Sequence, residues 1–343
     1  MTKLSIGEEQ LLTTLRLLEL RSRDWETGEK IRTNQQDLIC RGRLYFGKNL
    51  IDWTPLFELL IEKGFLQQSA SDYSLTDLGR SYGDLGQKKW FIKGYDDLLT
   101  RSEQSQAHSI FCKRVYGRDL CQTGSTDMTQ LEMLLQVLDL EVDSLVLDLG
   151  CGIGKITEYL SDSTQAQFIG VDITTNALYQ ARMRQSGKQN PLQYLEADLN
   201  SLPLSKGCLD AIIALDTIYF ANDINHTLNQ LKRLLKPLGQ MAIFYSQLCY
   251  PDDPPFLLHP DNTELGRALR TQDLSYHSYN LTMSDHQIRR RQIQVGAELI
   301  NDFQKEKNSD IYRVRNTEAA WALKVFNAGR GRRYLYHVQR STD

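Results

Sequence analysis

Leu145-Val146-Leu147-Asp148-Leu149 runs directly into Gly150-Cys151-Gly152-Ile153-Gly154. Such a run reads as a buried strand that turns sharply into a helix. Closely spaced glycines let the backbone take conformations a side chain obstructs, and let a ligand approach it closely. Further apolar runs lie at 168–172, 192–195, 209–215 and 241–245. Helical segments at 155–161, 175–186 and 224–236 separate them, and a helix marked by Leu131, Leu134, Leu135 and Leu138 precedes them. Strands alternating with helices predict an α/β fold with a parallel sheet covered on both faces.

The length, 343 residues, suggests two domains. Leu11, Leu12, Leu15 and Leu18 predict an amphipathic helix over 7–20. Thr54-Pro55 predicts a second, with the hydroxyl as its N-cap and Gly64 at its end. Phe65-Leu66 and Tyr73-Ser74-Leu75 predict a small hairpin, and Thr76-Asp77-Leu78-Gly79-Arg80 a capped helix start. Helices followed by a hairpin resemble a winged helix, which gives a winged-helix-like domain over 1–86. Residues 87–128 are mixed and polar and read as a linker with one or two lid helices. The main domain then spans 129–343. A proline loop (Pro251, Pro254, Pro255, Pro260) opens a helical cap insertion over about 250–328, and a last strand follows at 334–338.

Acidic residues recur at the strand ends. Asp172 ends the second strand, where a carboxylate accepts ribose hydroxyls; Asp198 follows the third, where it accepts from an adenine amine; Asp216 follows the fourth. A dinucleotide fingerprint needs glycine where Lys155 stands. Asp148 would also repel a pyrophosphate, but it suits an ammonium group. In these residues the chain resembles the class I S-adenosylmethionine-dependent methyltransferases, whose first motif is matched by 148–154. The resemblance implies a Rossmann-like sheet with S-adenosylmethionine as cofactor. It places Asp148, Gly150, Cys151, Gly152 and Gly154 around the methionine and ribose, Asp172 with Ile173 at the ribose, and Asp198 with Leu199 at the adenine. Asp216 completes the expected cofactor set.

A finer resemblance lies upstream. Arg114-Val115-Tyr116-Gly117 and Thr123-Gly124-Ser125-Thr126-Asp127-Met128-Thr129 look like the phosphoethanolamine and sarcosine group of small-molecule N-methyltransferases. It implies that Tyr116, Ser125 and Thr126 close over the cofactor. The phosphoethanolamine enzymes place a catalytic His soon after the fourth strand, whereas this chain has Asp216-Thr217-Ile218-Tyr219-Phe220. The fused N-terminal module also departs from that group; small-molecule O-methyltransferases often carry one for dimerisation. The expected activity is methyl transfer to a small metabolite, leaning to an amine nitrogen, with O-methylation as the alternative. No catalytic residue is assigned. Tyr219, and His259, His277 and Tyr279 in the cap, are candidates, because an oxygen acceptor needs a base near neutral pH.

Other features weigh less. Asp253-Pro254-Pro255-Phe256 resembles an adenine N6-methyltransferase motif but follows the fifth strand, and reads as a proline loop. Arg289-Arg290-Arg291 and the basic stretch 313–340 offer a polyanion patch, a site for an anionic group on a small substrate or, more simply, solvated helix faces. The net charge is −3, so a nucleic-acid methyltransferase or a DNA-binding cofactor sensor is the disfavoured reading. Leucine-rich helices in 1–85 suggest a homodimer. Six cysteines without a CxxC pair and six histidines without a metal spacing point to no metal and to reduced thiols. No apolar run is long enough for a membrane span and no signal peptide is evident, so a cytoplasmic protein is expected.

Overall fold

The computed structural model describes residues 2–21, 23–24, 27–46, 50–186 and 192–341. They divide into two compact units, Met1–Gly94 with Tyr250–Asp252, and Tyr95–Cys249 with Asp253–Asp343.

The first unit is helical. It holds α1 (Ile6–Arg21), α2 (Gln35–Phe46), α3 (Leu56–Glu62), a hairpin of β1 (Leu66–Ser69) and β2 (Asp72–Leu75), and the start of α4 (Asp77–Gln104). The helical spacing of Leu11, Leu12, Leu15 and Leu18 is spent inside this unit, where they pack with Trp53, Phe57, Leu60 and Phe65. These leucines therefore leave no surface for a second copy, which removes the reason first given for a dimer. Thr54 does not cap α3. Asp52 takes both its amide and its hydroxyl, at 3.0 and 2.8 Å, so Pro55 stands at the cap position. Thr76 does cap α4, accepting from the Gly79 amide at 3.1 Å. Sequence periodicity missed α2, whose Gly42 reads as a breaker; the glycine is there because the Trp53 ring lies flush against it.

The expected break near 87 is absent, because α4 runs unbroken for 28 residues. It is followed by α5 (Gln106–Tyr116) and α6 (Met128–Leu138). Ser105 caps α5 through the His108 amide, and Gly117, at φ +91°, ends it. Asp127 caps α6 through the Gln130 amide.

The alternating series follows: β3 (Leu145–Leu149), α7 (Lys155–Thr164), β4 (Gln167–Asp172), α8 (Thr175–Gln185), β5 (Leu192–Glu196), β6 (Leu209–Leu215), α9 (Ile224–Leu234) and β7 (Leu235–Leu248). After it come α10 (Glu264–Thr271), β8 (Ser275–Asn280), α11 (Thr282–Lys305), α12 (Ser309–Asn327) and β9 (Gly331–Gln339). The sheet has seven strands in the order β5-β4-β3-β6-β7-β9-β8. From β5 to β7 the pairs are parallel, and β9 is antiparallel to both neighbours. The insertion is thus not purely helical: β8 forms the sheet edge. Its sequence, Ser-Tyr-His-Ser-Tyr-Asn, lacks the apolar run of a buried strand, as an edge strand can.

Successive residues of β6 point to opposite faces. Ile212 and Ala214 pack with Leu228, Leu231, Leu265 and Leu269, whereas Ala211 and Ile213 pack with Leu131, Leu134, Leu160 and Leu178. Both faces are covered, and the strand order reverses between β3 and β6. Ligands bind open α/β sheets at the carboxyl ends of the strands beside such a switch point.

Candidate functional site

The glycine loop sits at that switch point. The Gly150 and Cys151 amides donate to the Val171 carbonyl at 2.7 and 3.0 Å, and Gly154 donates to Cys151 at 2.9 Å. The Gly152 amide donates to Asp172 Oδ2 at 2.8 Å. Four of the five amides over 150–154 are consumed, so the loop is not a nest of amides for a phosphate. Gly150, Gly152 and Gly154 have φ of +75°, +54° and +76°. A Cβ on Gly150 would strike Thr217, and one on Gly154 would lie 2.5 Å from the Tyr194 hydroxyl; at Gly152 it would meet only Leu99, at 3.6 Å. Gly150 and Gly154 therefore serve packing, and Gly152 is where the backbone lies open to a ligand.

Three carboxylates surround the loop. Asp148 is 2% exposed and accepts from Thr157 Oγ1 at 2.6 Å. Burial, with the nearby Asp172 charge, pushes its pKa up to about 6 against the pull of that hydrogen bond. Asp172 and the following Ile173 are half-buried. The second oxygen of Asp172 accepts from the Thr174 amide and hydroxyl at 2.9 and 2.7 Å, which fixes the carboxylate plane. Asp198 is fixed likewise, by the Asn200 amide and side chain at 2.9 and 2.7 Å, and the Leu199 carbonyl accepts from Gln230 at 2.9 Å. The Cys151 thiol is pushed far up in pKa by burial and the two neighbouring carboxylates, so it stays protonated. A loop with most of its amides consumed, an open glycine and the Asp148 and Asp172 carboxylates nearby fits a ligand with an ammonium, a sulfonium and ribose hydroxyls. S-adenosylmethionine has these groups.

The C-terminal part of α4 forms one wall; it lies in the region expected to supply lid helices, though none of its residues was singled out. Leu99 packs with Cys121, Ile153 and Ala177, and Tyr95 lies against this cluster. The Asp96 carboxylate accepts from the amides of Asn176 and Ala177 at 3.2 and 2.9 Å and so caps α8 from another helix. The signal was hidden because the stretch reads as polar linker.

Tyr116, Ser125 and Thr126 come together at one segment. The Tyr116 hydroxyl donates to the Gly124 carbonyl at 3.0 Å and accepts from Gln292 at 2.7 Å. The Ser125 amide donates to Asp216 at 3.3 Å, and Thr126 Oγ1 accepts from Arg333 at 3.2 Å. Asp216 is engaged more fully than its expected cofactor role needs. Arg333 binds both its oxygens, and the Tyr219 hydroxyl donates to it at 3.4 Å. Burial works to raise the Asp216 pKa, but the Arg333 charge and hydrogen bonds outweigh it and hold it below the usual carboxylate value. Asp216 is a counter-ion that ties β6, β9 and the 124–126 segment together.

Arg333 is 1% exposed and Arg315 is 5% exposed, so the basic stretch is neither a polyanion patch nor a solvated face at these positions. The signal for Arg333 lay in strand alternation, which puts it on the face of Leu335.

The catalytic candidates scatter. Tyr219 stands beside Asp216, with its ring 4.9 Å from that of Tyr245; burial, then the Asp216 charge, raises its pKa, so the phenol stays protonated. His259 is exposed in the proline loop and accepts from the Asp261 amide at 3.4 Å. His277 and Tyr279 meet edge-to-face on β8, with β6, β7 and β9 between them and the loop strand β3. At about 4.8 Å per strand that is roughly 19 Å, so the structure does not bring these two to the loop.

Residues 147–243 match a family model described as a methyltransferase domain. Phosphoethanolamine N-methyltransferase 3 of Arabidopsis thaliana is 23% identical over 255 residues, covering 70% of this chain and 50% of that protein. Methyltransferase GfsG of Streptomyces halstedii is 32% identical over 114 residues, covering 33% and 41%. The chain thus spans half or less of each relative. Among solved structures, Haemonchus contortus phosphoethanolamine N-methyltransferase 2, in complex with phosphomonomethylethanolamine and S-adenosylhomocysteine, superposes with a TM-score of 0.56 at 16% identity, covering 73% of this chain and 60% of that one. Fold, loop chemistry and family match agree: residues 147–243 match the methyltransferase-domain model, on a sheet shared with solved methyltransferases.

Proposed function

We propose that this protein transfers a methyl group from S-adenosylmethionine to a small-molecule acceptor, and that the acceptor atom is an amine nitrogen. The observation that carries the cofactor half is the glycine loop, four of its five amides consumed and Asp148 and Asp172 beside it. In this reading Asp172 with Ile173 holds the ribose, Asp198 with Leu199 the adenine, and Asp148 the ammonium. Gly152, flanked by packed Gly150, Cys151 and Gly154, gives the ligand its approach. The cofactor supplies an electrophilic methyl group on a sulfonium. The protein's work is to orient the acceptor and to keep water from a centre whose charge disperses during transfer, which is the task of the Leu99, Ile153 and Cys121 wall and of the 116–126 segment.

Nitrogen is favoured because no candidate base stands ready beside β6. The Tyr219 phenol is held protonated, Asp216 is taken by Arg333, His259 and His277 are exposed, and half-buried His286 is hydrogen-bonded to Asn327. A phenol or alcohol acceptor needs its proton removed, whereas an amine can arrive neutral. Three helices followed by a hairpin support reading 1–86 as a winged-helix-like module, and we assign it to homodimerisation rather than to nucleic acid. Residues 87–128 would then serve as lid and 250–328 as cap. The test is incubation with methyl-labelled S-adenosylmethionine and a fractionated metabolite extract. Label is expected in a small molecule, with mass spectrometry placing the methyl on nitrogen. Label in nucleic acid overturns the acceptor class, and an O-methyl product overturns the choice of atom.

A further inference from the structure

We propose that Arg315, reaching in from α12, binds the carboxylate of the cofactor's amino-acid end; the inference rests on the cofactor reading above. Arg315 is 5% exposed, and its Nη1 donates to the Thr123 carbonyl. Its Nε and Nη2 are buried without a hydrogen-bond partner. A buried guanidinium with two open donors is costly unless something occupies them, and its planar fork matches a carboxylate. The nearest counter-ion, Glu318, lies 3.8 Å from Nη1 and is 46% exposed, so it does not fill the buried side.

The place agrees with the chemistry. The Thr123 residue that anchors Arg315 also shares a hydrogen bond with the Tyr95 hydroxyl at 3.3 Å. Tyr95 packs on the Leu99, Cys121, Ile153 and Ala177 cluster that walls the open face of Gly152. Both charges reach its phenol: burial raises the Tyr95 pKa most, Arg315 draws it down and Asp172 adds to the rise. Arg315 and Asp172 are thus both close enough to act on one phenol. The other inward-facing cations have partners. Arg333 is taken by Asp216 and Thr126, Arg289 lies between Asp285 and Glu318 at 3.5 and 3.6 Å, and Lys155 is 3.9 Å from Glu103. S-adenosylmethionine carries one anionic group, its carboxylate, and Arg315 offers it two open donors, Nε and Nη2, where Arg289 and Arg333 each leave only Nε without a hydrogen bond.

The test is calorimetric binding of S-adenosylhomocysteine and of 5′-methylthioadenosine, which lacks the amino-acid end, to the intact chain and to R315Q and R315K. Loss of a charge-assisted hydrogen bond predicts a 10- to 100-fold weaker Kd for S-adenosylhomocysteine in R315Q, about. Methylthioadenosine should change less than about twofold, since it offers Arg315 nothing to bind. R315K, which keeps the charge, should fall between, and it carries the comparison should R315Q fail to fold. Equal losses for both ligands would mean that Arg315 only supports the 122–127 segment, and no loss for either would assign it to an acceptor; each overturns the proposal. An intact chain that binds neither ligand overturns the cofactor reading itself, and this inference with it.

Discussion

Asp148 illustrates what one residue does when its neighbours, rather than its type, set its chemistry. Its folded pKa, about 6, lies above that of an exposed carboxylate. Stability from the neutral form is therefore full below about pH 4 and is lost as pH rises through about 6. The shift corresponds to roughly 3 kcal/mol. An ammonium beside the ionised form offsets that cost, so cofactor binding should take up the charge burial makes expensive. Affinity for S-adenosylhomocysteine should then fall as pH drops from 7 to 5, by about tenfold, and D148N should bind weakly with little pH dependence. Titration calorimetry across that range checks it; parallel curves for the two proteins would show that Asp148 does not meet the ligand.

At the scale of elements, the 122–127 segment has no secondary structure of its own and is held by side chains from four others. Tyr116 of α5, Arg315 of α12, Arg333 of β9 and Asp216 at the end of β6 each take a group on it. Of these the Asp216–Arg333 pair is the most exposed to mutation, because both charges are buried. Removing one partner strands the other, at a cost of about 3–5 kcal/mol. R333Q should lose stability on that scale in denaturant melts, and D216N/R333Q should lose less than R333Q alone. Additive losses would show that the two side chains do not act as a pair. Because Arg333 lowers the Asp216 pKa, the pair's contribution is complete above about pH 4 and is lost only as pH falls through the lower folded value.

Across the whole molecule, the described residues fall into two compact units. Leu11, Leu12, Leu15 and Leu18 of α1 are used within the first unit, yet Ile6, Leu20, Ile51, Leu78 and Leu85 of the same unit are 68, 56, 46, 48 and 42% exposed. If that unit dimerises, these are the side chains left to do it. Sedimentation equilibrium should give twice the chain mass, and L78E/L85E should shift it to the monomer. A monomer at tens of micromolar for the unaltered chain would remove the homodimer. Among the described residues, no helix is long and apolar enough to cross a membrane.

Local pattern was enough for the parallel strands, the glycine turn and the carboxylates at strand ends. Continuous apolar runs can only be buried strands or helix faces, and closely spaced glycines between a strand and a helix have few other uses. The sequence also showed that Asp148 is wrong for a phosphate, because charge sign does not depend on packing. What needed the tertiary structure was every pairing between distant segments. That Arg333 neutralises Asp216 is invisible from positions 117 residues apart, and so is Asp96 capping a helix that begins at Thr175. The polar edge strand β8 and the glycine-containing helix α2 were lost for the same reason. Their sequences obey neighbours, the Tyr336 strand and the Trp53 ring, rather than their own propensities.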